Sequence, residues 1–183
     1  MLTAACSLSW RPYADASGDF TAEMPSSWKS YNDLDLKRRP VGVLAFVGEL
    51  QTQDEGIPIG AVINVTRASR TASEMPVGGR ELKAYGEGWI APSEDLFGAH
   101  PKSDLKVTNT TLGGKDARTY EREFVWENPA HAIKPIPMRL VDVVVRTDKA
   151  FYIIEYRATQ KLFEKHRPVF ERFLKGFAFG PSA

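Results

Sequence analysis

Two adjacent glycines, Gly113 and Gly114, separate two long segments of alternating residues, Leu105–Leu112 and Lys115–Trp126. A tight two-residue hairpin turn requires positive φ angles, which glycine adopts without the strain that other residues incur. This pattern predicts a long antiparallel hairpin. The chain is therefore expected to build its fold around an antiparallel sheet.

Two further pairs of apolar, β-branched segments predict two more hairpins. The first pair is Val41–Leu50 and Ile57–Thr66, and the second is Met138–Arg146 and Phe151–Ala158. A shorter strand is predicted at Phe20–Met24, before Pro25, and a final one at Phe177–Phe179. The segments Asp95–Ser103 and Asn128–Pro137 are expected to be loops, the second because it contains three prolines.

Two segments have apolar residues at helical spacing, Arg80–Ile90 and Thr159–Lys175. The second is strongly amphipathic, with charged residues between its apolar positions. Pro168 lies inside it and is expected to begin a second helical segment after a break, because proline lacks an N–H for the helical hydrogen bond. We predict an α+β fold: a tail of residues 1–9, then one domain over residues 10–180 with helices beside a largely antiparallel sheet.

Composition excludes several classes of protein. The 183 residues include 24 Lys+Arg and 23 Asp+Glu, a net charge of +1, so the basic excess of a typical nucleic-acid-binding protein is missing. The single cysteine excludes an intrachain disulfide and a cysteine-built zinc site. No apolar run approaches the ~20 residues needed to span a bilayer.

The single cysteine, Cys6, follows Leu2, Thr3, Ala4 and Ala5. Small residues before a cysteine, with a leucine further back, resemble the end of a bacterial lipoprotein signal, in which the cysteine carries lipid chains. Five residues are too few for the charged and apolar regions of such a signal, so this interpretation requires a start codon upstream of Met1. It predicts a lipid-anchored protein on the periplasmic or extracellular face of a bacterial membrane. The alternative is a free cysteine near a loose terminus of a cytoplasmic protein.

No pattern in the sequence predicts a catalytic, cofactor-binding or metal site. Gly86, Gly88 and Ala91 have the spacing of a dinucleotide fingerprint, but they end a predicted helix instead of opening one. The three histidines, His100, His131 and His166, are scattered, with no pair one helical turn apart. His166 sits on the apolar face of the last helix, where we expect it to be packed or to cap the helix and not to ligate a metal.

One charged constellation remains on the predicted strands. Arg118, Tyr120 and Arg122 point to one face of their strand, while Asp142 and Glu155 lie on the neighbouring hairpin. The simplest interpretation is a set of cross-strand ion pairs within the sheet. The functional alternative is a patch that binds an anionic ligand or a partner, because guanidinium groups and phenols bind anions well.

Aromatic, turn and strand residues follow one another along the chain in a characteristic order: Trp10, Tyr13, Asp15, Gly18, Phe20, Met24, Pro25, Ser26 and Trp28, then the Gly114–Arg118 turn, the Tyr152–Tyr156 strand and Phe177–Phe179. This order resembles the PsbP-like superfamily. The resemblance covers nearly the whole chain from Trp10 to Phe179.

This resemblance implies an α/β/α sandwich, with a central antiparallel sheet flanked by helices. Members of the family include an extrinsic photosystem II subunit, a nuclear import factor that binds the GTPase Ran, and bacterial lipoproteins. The resemblance transfers no functional residue and no cofactor. It implies a non-enzymatic accessory or assembly protein that binds an unknown protein partner at a membrane surface. The alternative is a soluble small-anion-binding domain or an enzyme with a dispersed site.

Overall fold

The computed structural model describes residues 9–33, 41–52, 58–69, 82–83, 86–87, 99–101, 104–128 and 133–183. Its strands are β1 Trp10–Ala14, β2 Phe20–Pro25, β3 Lys29–Asp33, β4 Val41–Thr52, β5 Pro58–Ser69, β6 Ala99–Pro101, β7 Lys106–Leu112, β8 Lys115–Asn128, β9 Ile133–Arg146, β10 Ala150–Thr159 and β11 Ala178–Phe179. A C-terminal helix spans Gln160–Lys175.

The three predicted hairpins all form, and they join into one antiparallel sheet of eight strands. The strand order is β3-β4-β5-β10-β9-β8-β6, and β7 also pairs with β8. The hairpin β7–β8 turns at Gly113 and Gly114, with φ angles of 55° and 75°. The hairpin β9–β10 turns at Thr147, whose hydroxyl accepts a 3.0 Å hydrogen bond from the Ala150 amide. Local turn chemistry therefore fixes the register of both hairpins.

A second layer covers one face of the large sheet, which we call the helix face. This layer consists of the C-terminal helix and a small sheet with the order β1-β2-β11. Its apolar residues and those of the helix face form the main core cluster, including Phe46, Ile154 and Phe173. The Tyr156 hydroxyl donates a 2.8 Å hydrogen bond to the Phe163 carbonyl, so the one polar atom of this buried ring is paired.

The C-terminal helix is continuous, so the predicted break at Pro168 is wrong. A proline inside a helix removes the hydrogen bond to the carbonyl four residues earlier. Pro168 and Glu164, whose carbonyl loses that hydrogen bond, both lie on the exposed side of the helix. Six residues on the opposite side are buried and hold both halves of the helix against the sheet: Leu162, Phe163, His166, Val169, Phe170 and Phe173.

Two segments predicted as loops contain strands. Residues 99–101 form β6, and β9 begins at Ile133, with Pro135 and Pro137 inside it. Strand β10 pairs with β9 only as far as Met138, so both prolines lie where β9 has a single partner, β8. Proline is tolerated in a stretch that has only one partner strand, because fewer of its backbone N–H groups are needed for hydrogen bonds within the sheet.

The predicted sandwich is confirmed in part. The protein is dominated by antiparallel strands, with the C-terminal helix on the helix face. On the opposite face, which we call the far face, the described helical residues are Leu82, Lys83, Gly86 and Glu87, within the predicted helix Arg80–Ile90. Leu82 packs against the far-face cluster around Tyr120 and Ile153. No helix among the described residues is long and apolar enough to cross a membrane.

Gly48 is required by the close approach of the Trp28 ring, which is 4% exposed. A Cβ atom at position 48 would overlap this ring. We expect Gly48→Ala to lower the free energy of unfolding by about 1–3 kcal/mol, as overpacking of a core does. Chemical denaturation measures this loss. The loss should be smaller in a Trp28→Phe background, which removes the second ring, and an equal loss in both backgrounds would contradict the steric explanation.

Candidate functional site

The three residues of the predicted patch lie together on the far face. They alternate along β8, as the strand period requires. Tyr120 is fully buried and Arg122 is only 7% exposed, while Arg118 is half-buried. The Arg118 guanidinium lies 5.8 Å from the centroid of the Tyr120 ring. These residues are therefore mostly interior packing elements, not an open surface patch.

The sheet register extends this patch into a polar row that crosses four strands. Asn64, Glu155, Asp142 and Tyr120 are successive partners on β5, β10, β9 and β8. Asn64 Nδ2 donates a 2.8 Å hydrogen bond to Glu155 Oε1. The Arg157 Nε atom lies 3.6 Å from the same oxygen. We call these four residues, with Arg118, Arg122 and Arg157, the polar row.

Asp142 is the least expected member of the polar row. It is 1% exposed, and its direct cross-strand partner is a second acid, Glu155. Burial raises the pKa of Asp142 well above its usual range, and the negative charge of Glu155 raises it further. Arg122 and Arg157 oppose this rise without cancelling it. The fold therefore favours the neutral carboxylic acid at Asp142.

Tyr120 is closed off by the helical residues on the far face. A Cβ atom at Gly86 would overlap the Tyr120 hydroxyl, so only glycine fits there. Burial raises the pKa of Tyr120, and the negative charge of Glu87 adds to this effect, while Arg118 opposes it. The Tyr120 hydroxyl, Asp142 Oδ1 and Arg118 Nε are buried and make no hydrogen bond to any described residue.

A cavity of about 360 Å³ lies at the end of the far face, between the tips of two hairpins. It is lined by Leu82, Gly114, Lys115, Asp116, Arg146, Thr147 and Asp148. Its two cationic and two acidic side chains balance, so the cavity has no net preference for an anion. Most of its lining residues are exposed, which is typical of a shallow depression.

The remaining candidate residues are separated from the polar row. His166 lies on the helix face, as predicted, where its Nε2 is 3.0 Å from Glu49 Oε2 and its ring packs edge-on against Trp28. The side chain of His100 and all of His131 and Cys6 lie outside the described residues. No group of three or more His, Cys, Asp or Glu side chains in the described ranges is arranged to hold a metal ion.

Sequence reasoning identified Arg118, Tyr120, Arg122, Asp142 and Glu155 but missed Asn64 and Arg157. The arginine follows Glu155 by two positions, so the strand period alone places it on the same face. Asn64 had no such signal, because its pairing with Glu155 depends on β5 being the neighbour of β10. That pairing joins residues 91 positions apart in the chain.

The predicted cross-strand ion pairs take a different form from the one expected. The two acids Asp142 and Glu155 oppose each other across β9 and β10. Arg122 and Arg157 lie two positions further along their strands, and both have Leu140 as their cross-strand partner. Two arginines of the polar row thus flank the two acids, and the fold favours the neutral form at Asp142. This arrangement holds polar groups inside a sheet without isolating a full charge.

Comparison with solved structures identifies the fold. The chain superimposes on the cyanobacterial PsbP protein CyanoP of Synechocystis sp. PCC 6803 with a TM-score of 0.61 and 10% identity, covering 98% of this chain and 97% of that one. It also superimposes on LpqN of Mycobacterium tuberculosis, which is involved in cell envelope biogenesis, with a TM-score of 0.53 and 14% identity. That match covers 96% of this chain and 92% of LpqN.

The chain therefore has the PsbP-like fold that the order of its motifs indicated. No protein-family model and no curated protein matches the sequence. At such low identity these likenesses define the fold alone.

The buried acid predicts a pH dependence of stability. Because the pKa of Asp142 is raised in the folded state, the unfolded chain releases this proton first as the pH rises above about 4. Stability then falls with rising pH, by about 1.4 kcal/mol for each unit by which folding raises the pKa. We expect Asp142→Asn to remove this loss and to be at least as stable as the native protein at neutral pH.

Urea denaturation between about pH 4 and pH 8 measures this difference. The control is Asp104→Asn, the same chemical change at an exposed carboxylate, which should leave the pH dependence unchanged. If Asp142→Asn retains the native slope of stability against pH, the folded state does not hold this carboxyl neutral.

Proposed function

We propose that this protein is a non-enzymatic accessory or assembly factor, anchored by a lipid on Cys6, that binds a protein partner at a membrane surface. The observation that supports this most is that the centre of the polar row is closed to solvent. Its most reactive groups, Asp142 and Tyr120, are buried, and they face each other across β8 and β9. An enzyme needs such groups at a site that a substrate reaches.

The fold supports this proposal. The matches with CyanoP and LpqN extend over 97% and 92% of those chains. One is a PsbP protein and the other is involved in building the cell envelope. Because function resides in sites and not in folds, this support is an analogy.

The N-terminal sequence supplies the proposed anchor. Ala4 and Ala5 precede Cys6, the pattern that precedes a lipidated cysteine. Residues 1–5 would then be removed, Cys6 would carry the lipid at the start of a short tail, and residues 10–180 would form the domain that the lipid holds at the membrane. This arrangement places the domain on the periplasmic or extracellular face.

The anchor is tested by the mass of the N-terminal peptide, on protein made in its native host with the upstream DNA included. We expect a peptide that begins at Cys6 and carries added acyl mass. Cys6→Ala should move the protein from the membrane fraction to the soluble fraction. An unmodified peptide beginning at Met1 would overturn the anchor and the proposed location.

The partner is tested by chemical cross-linking in native membranes, followed by purification through the C-terminus. We expect one protein to be recovered in stoichiometric amount, and to be lost when cross-linking is done on the Cys6→Ala variant. Recovery of no stoichiometric protein from the native membranes would contradict the accessory role.

The unpaired polar atoms favour a second candidate function, binding of a small anion at the polar row. Arg118 Nε and the Tyr120 hydroxyl are buried donors with no hydrogen bond to a described residue. An anion between them would pair both donors. Thermal unfolding in increasing inorganic phosphate tests this, since a ligand of the folded state raises the Tm. Phosphate also stabilises folded proteins without binding, because it is excluded from their surface. We therefore expect a smaller rise in Arg118→Gln than in the native protein, and an equal rise in both would exclude the site.

A further inference from the structure

The C-terminal helix carries an excess of positive charge that the rest of the chain does not share. It contains five basic and two acidic residues. The whole chain has a net charge of only +1, so the remainder is acidic overall. An asymmetry of this kind directs one side of a protein toward an anionic partner.

The basic residues of this helix form a stripe on its exposed side. Lys161, Lys165, Arg172 and Lys175 are spaced by intervals of four, seven and three residues, which keeps them on one face of a helix. All four are exposed. We call these four residues the basic stripe. It extends for about 21 Å along the helix axis.

Part of the stripe has no acidic partner. Lys165 pairs with Glu49, and Arg172 pairs with Glu23 at 2.8 Å. Lys161 and Lys175, at the two ends, have no acidic partner among the described residues. Their charges are therefore available to a ligand that lies along the whole helix.

The N-terminus of the described chain lies beside the basic stripe. The Arg172 guanidinium is stacked on Trp10, 4.1 Å from its ring centroid. Ser9 precedes this tryptophan, and its carbonyl accepts a 2.9 Å hydrogen bond from the Ser26 amide. The chain thus leaves the fold on the side that carries the stripe.

The distance from Ser9 to the proposed anchor is short. Only three peptide units separate Cys6 from Ser9, which span at most about 11 Å when fully extended. That length is close to the Debye length of about 8 Å at physiological ionic strength. A lipid on Cys6 therefore holds this side of the domain within reach of the membrane's surface potential.

We propose that the basic stripe is a docking surface for an anionic lipid bilayer, with the helix axis parallel to the membrane plane. This inference rests on the proposed lipid anchor and adds an orientation to it. The anchor supplies the local concentration, and the stripe selects the face that meets the headgroups. The far face then points away from the membrane.

The test uses the single cysteine of the native sequence to reproduce the anchor. The Cys6 thiol is coupled to a maleimide lipid in vesicles of three parts phosphatidylcholine to one part phosphatidylglycerol. Lysines are then acetylated briefly, and mass spectrometry measures the rate at each position. We expect Lys161 and Lys175 to react at least about fivefold more slowly than in the uncoupled protein, because lysines near an anionic surface are held there by its potential.

Lys83 and Lys115 are the internal controls. Lys106 is unsuitable for this role, because it lies opposite Glu121, which is paired with Arg167 of the helix. Lys83 is exposed among the helical residues of the far face and Lys115 at the tip of the β7–β8 hairpin, and their rates should not change. On vesicles of phosphatidylcholine alone, the protection of Lys161 and Lys175 should disappear. An equal change in acetylation rate at all four lysines on coupling to anionic vesicles would overturn the inference. So would protection of Lys161 and Lys175 that persists without phosphatidylglycerol.

Two matched variants extend the test to binding without the anchor. Lys161→Gln/Lys175→Gln should weaken co-sedimentation of the uncoupled protein with anionic vesicles by about tenfold or more, in line with the strength of such contacts. Lys83→Gln/Lys115→Gln removes the same charge from the far side of the domain and should have little effect. An equal loss in both variants would mean that only net charge matters. The lipid in these experiments is attached chemically. A negative result with vesicles therefore does not contradict lipidation of Cys6 in the native host, and an unmodified Cys6 in the native host does not contradict binding of the basic stripe to anionic vesicles.

Discussion

The hairpin β9–β10 is the element on which the rest of the structure depends. It occupies the centre of the eight-stranded sheet, with β5 on one side and β8 on the other. Both of its faces are buried: Tyr156 and Ile154 pack under the C-terminal helix, and Val144 and Ile153 pack on the far face. A strand with two buried faces has few polar positions, so the placement of Asp142 and Glu155 on this hairpin carries a large energetic cost unless both acids find partners.

Residues on β5, β8 and β10 supply partners for the two acids. Asn64 reaches Glu155 from β5, and Arg122 and Arg157 flank the two acids from β8 and β10. The raised pKa of Asp142 favours its neutral form, which reduces the repulsion between the two acids. The same solution leaves the row little open surface, since Asp142, Tyr120 and Arg122 are buried.

Recognition of a protein partner or a membrane is therefore left to the outer surfaces of the domain. These surfaces are not equivalent. The helix side combines the basic stripe with the point where the chain leaves toward Cys6. The opposite edge of the sheet carries β7, whose residues are exposed except at its last position. A lipid anchor and an electrostatic contact on the same side would fix the orientation of the domain and leave the edge at β7 free to meet a protein.

The sequence by itself determined the hairpins, because turn chemistry and the alternation of apolar residues act over a few neighbouring positions. It also determined the helix Gln160–Lys175, the absence of a disulfide and the set of charged residues on β8. The tertiary structure alone decided which hairpins are neighbours. It therefore brought Asn64 to Glu155, set Asp142 opposite a second acid, and buried Tyr120 under Gly86. It also carried Pro168 and Pro135 inside regular elements, because packing on one side of the helix and a missing neighbour beside β9 outweigh the local cost of proline. Those outcomes depend on contacts between residues far apart in the chain, which no local pattern encodes.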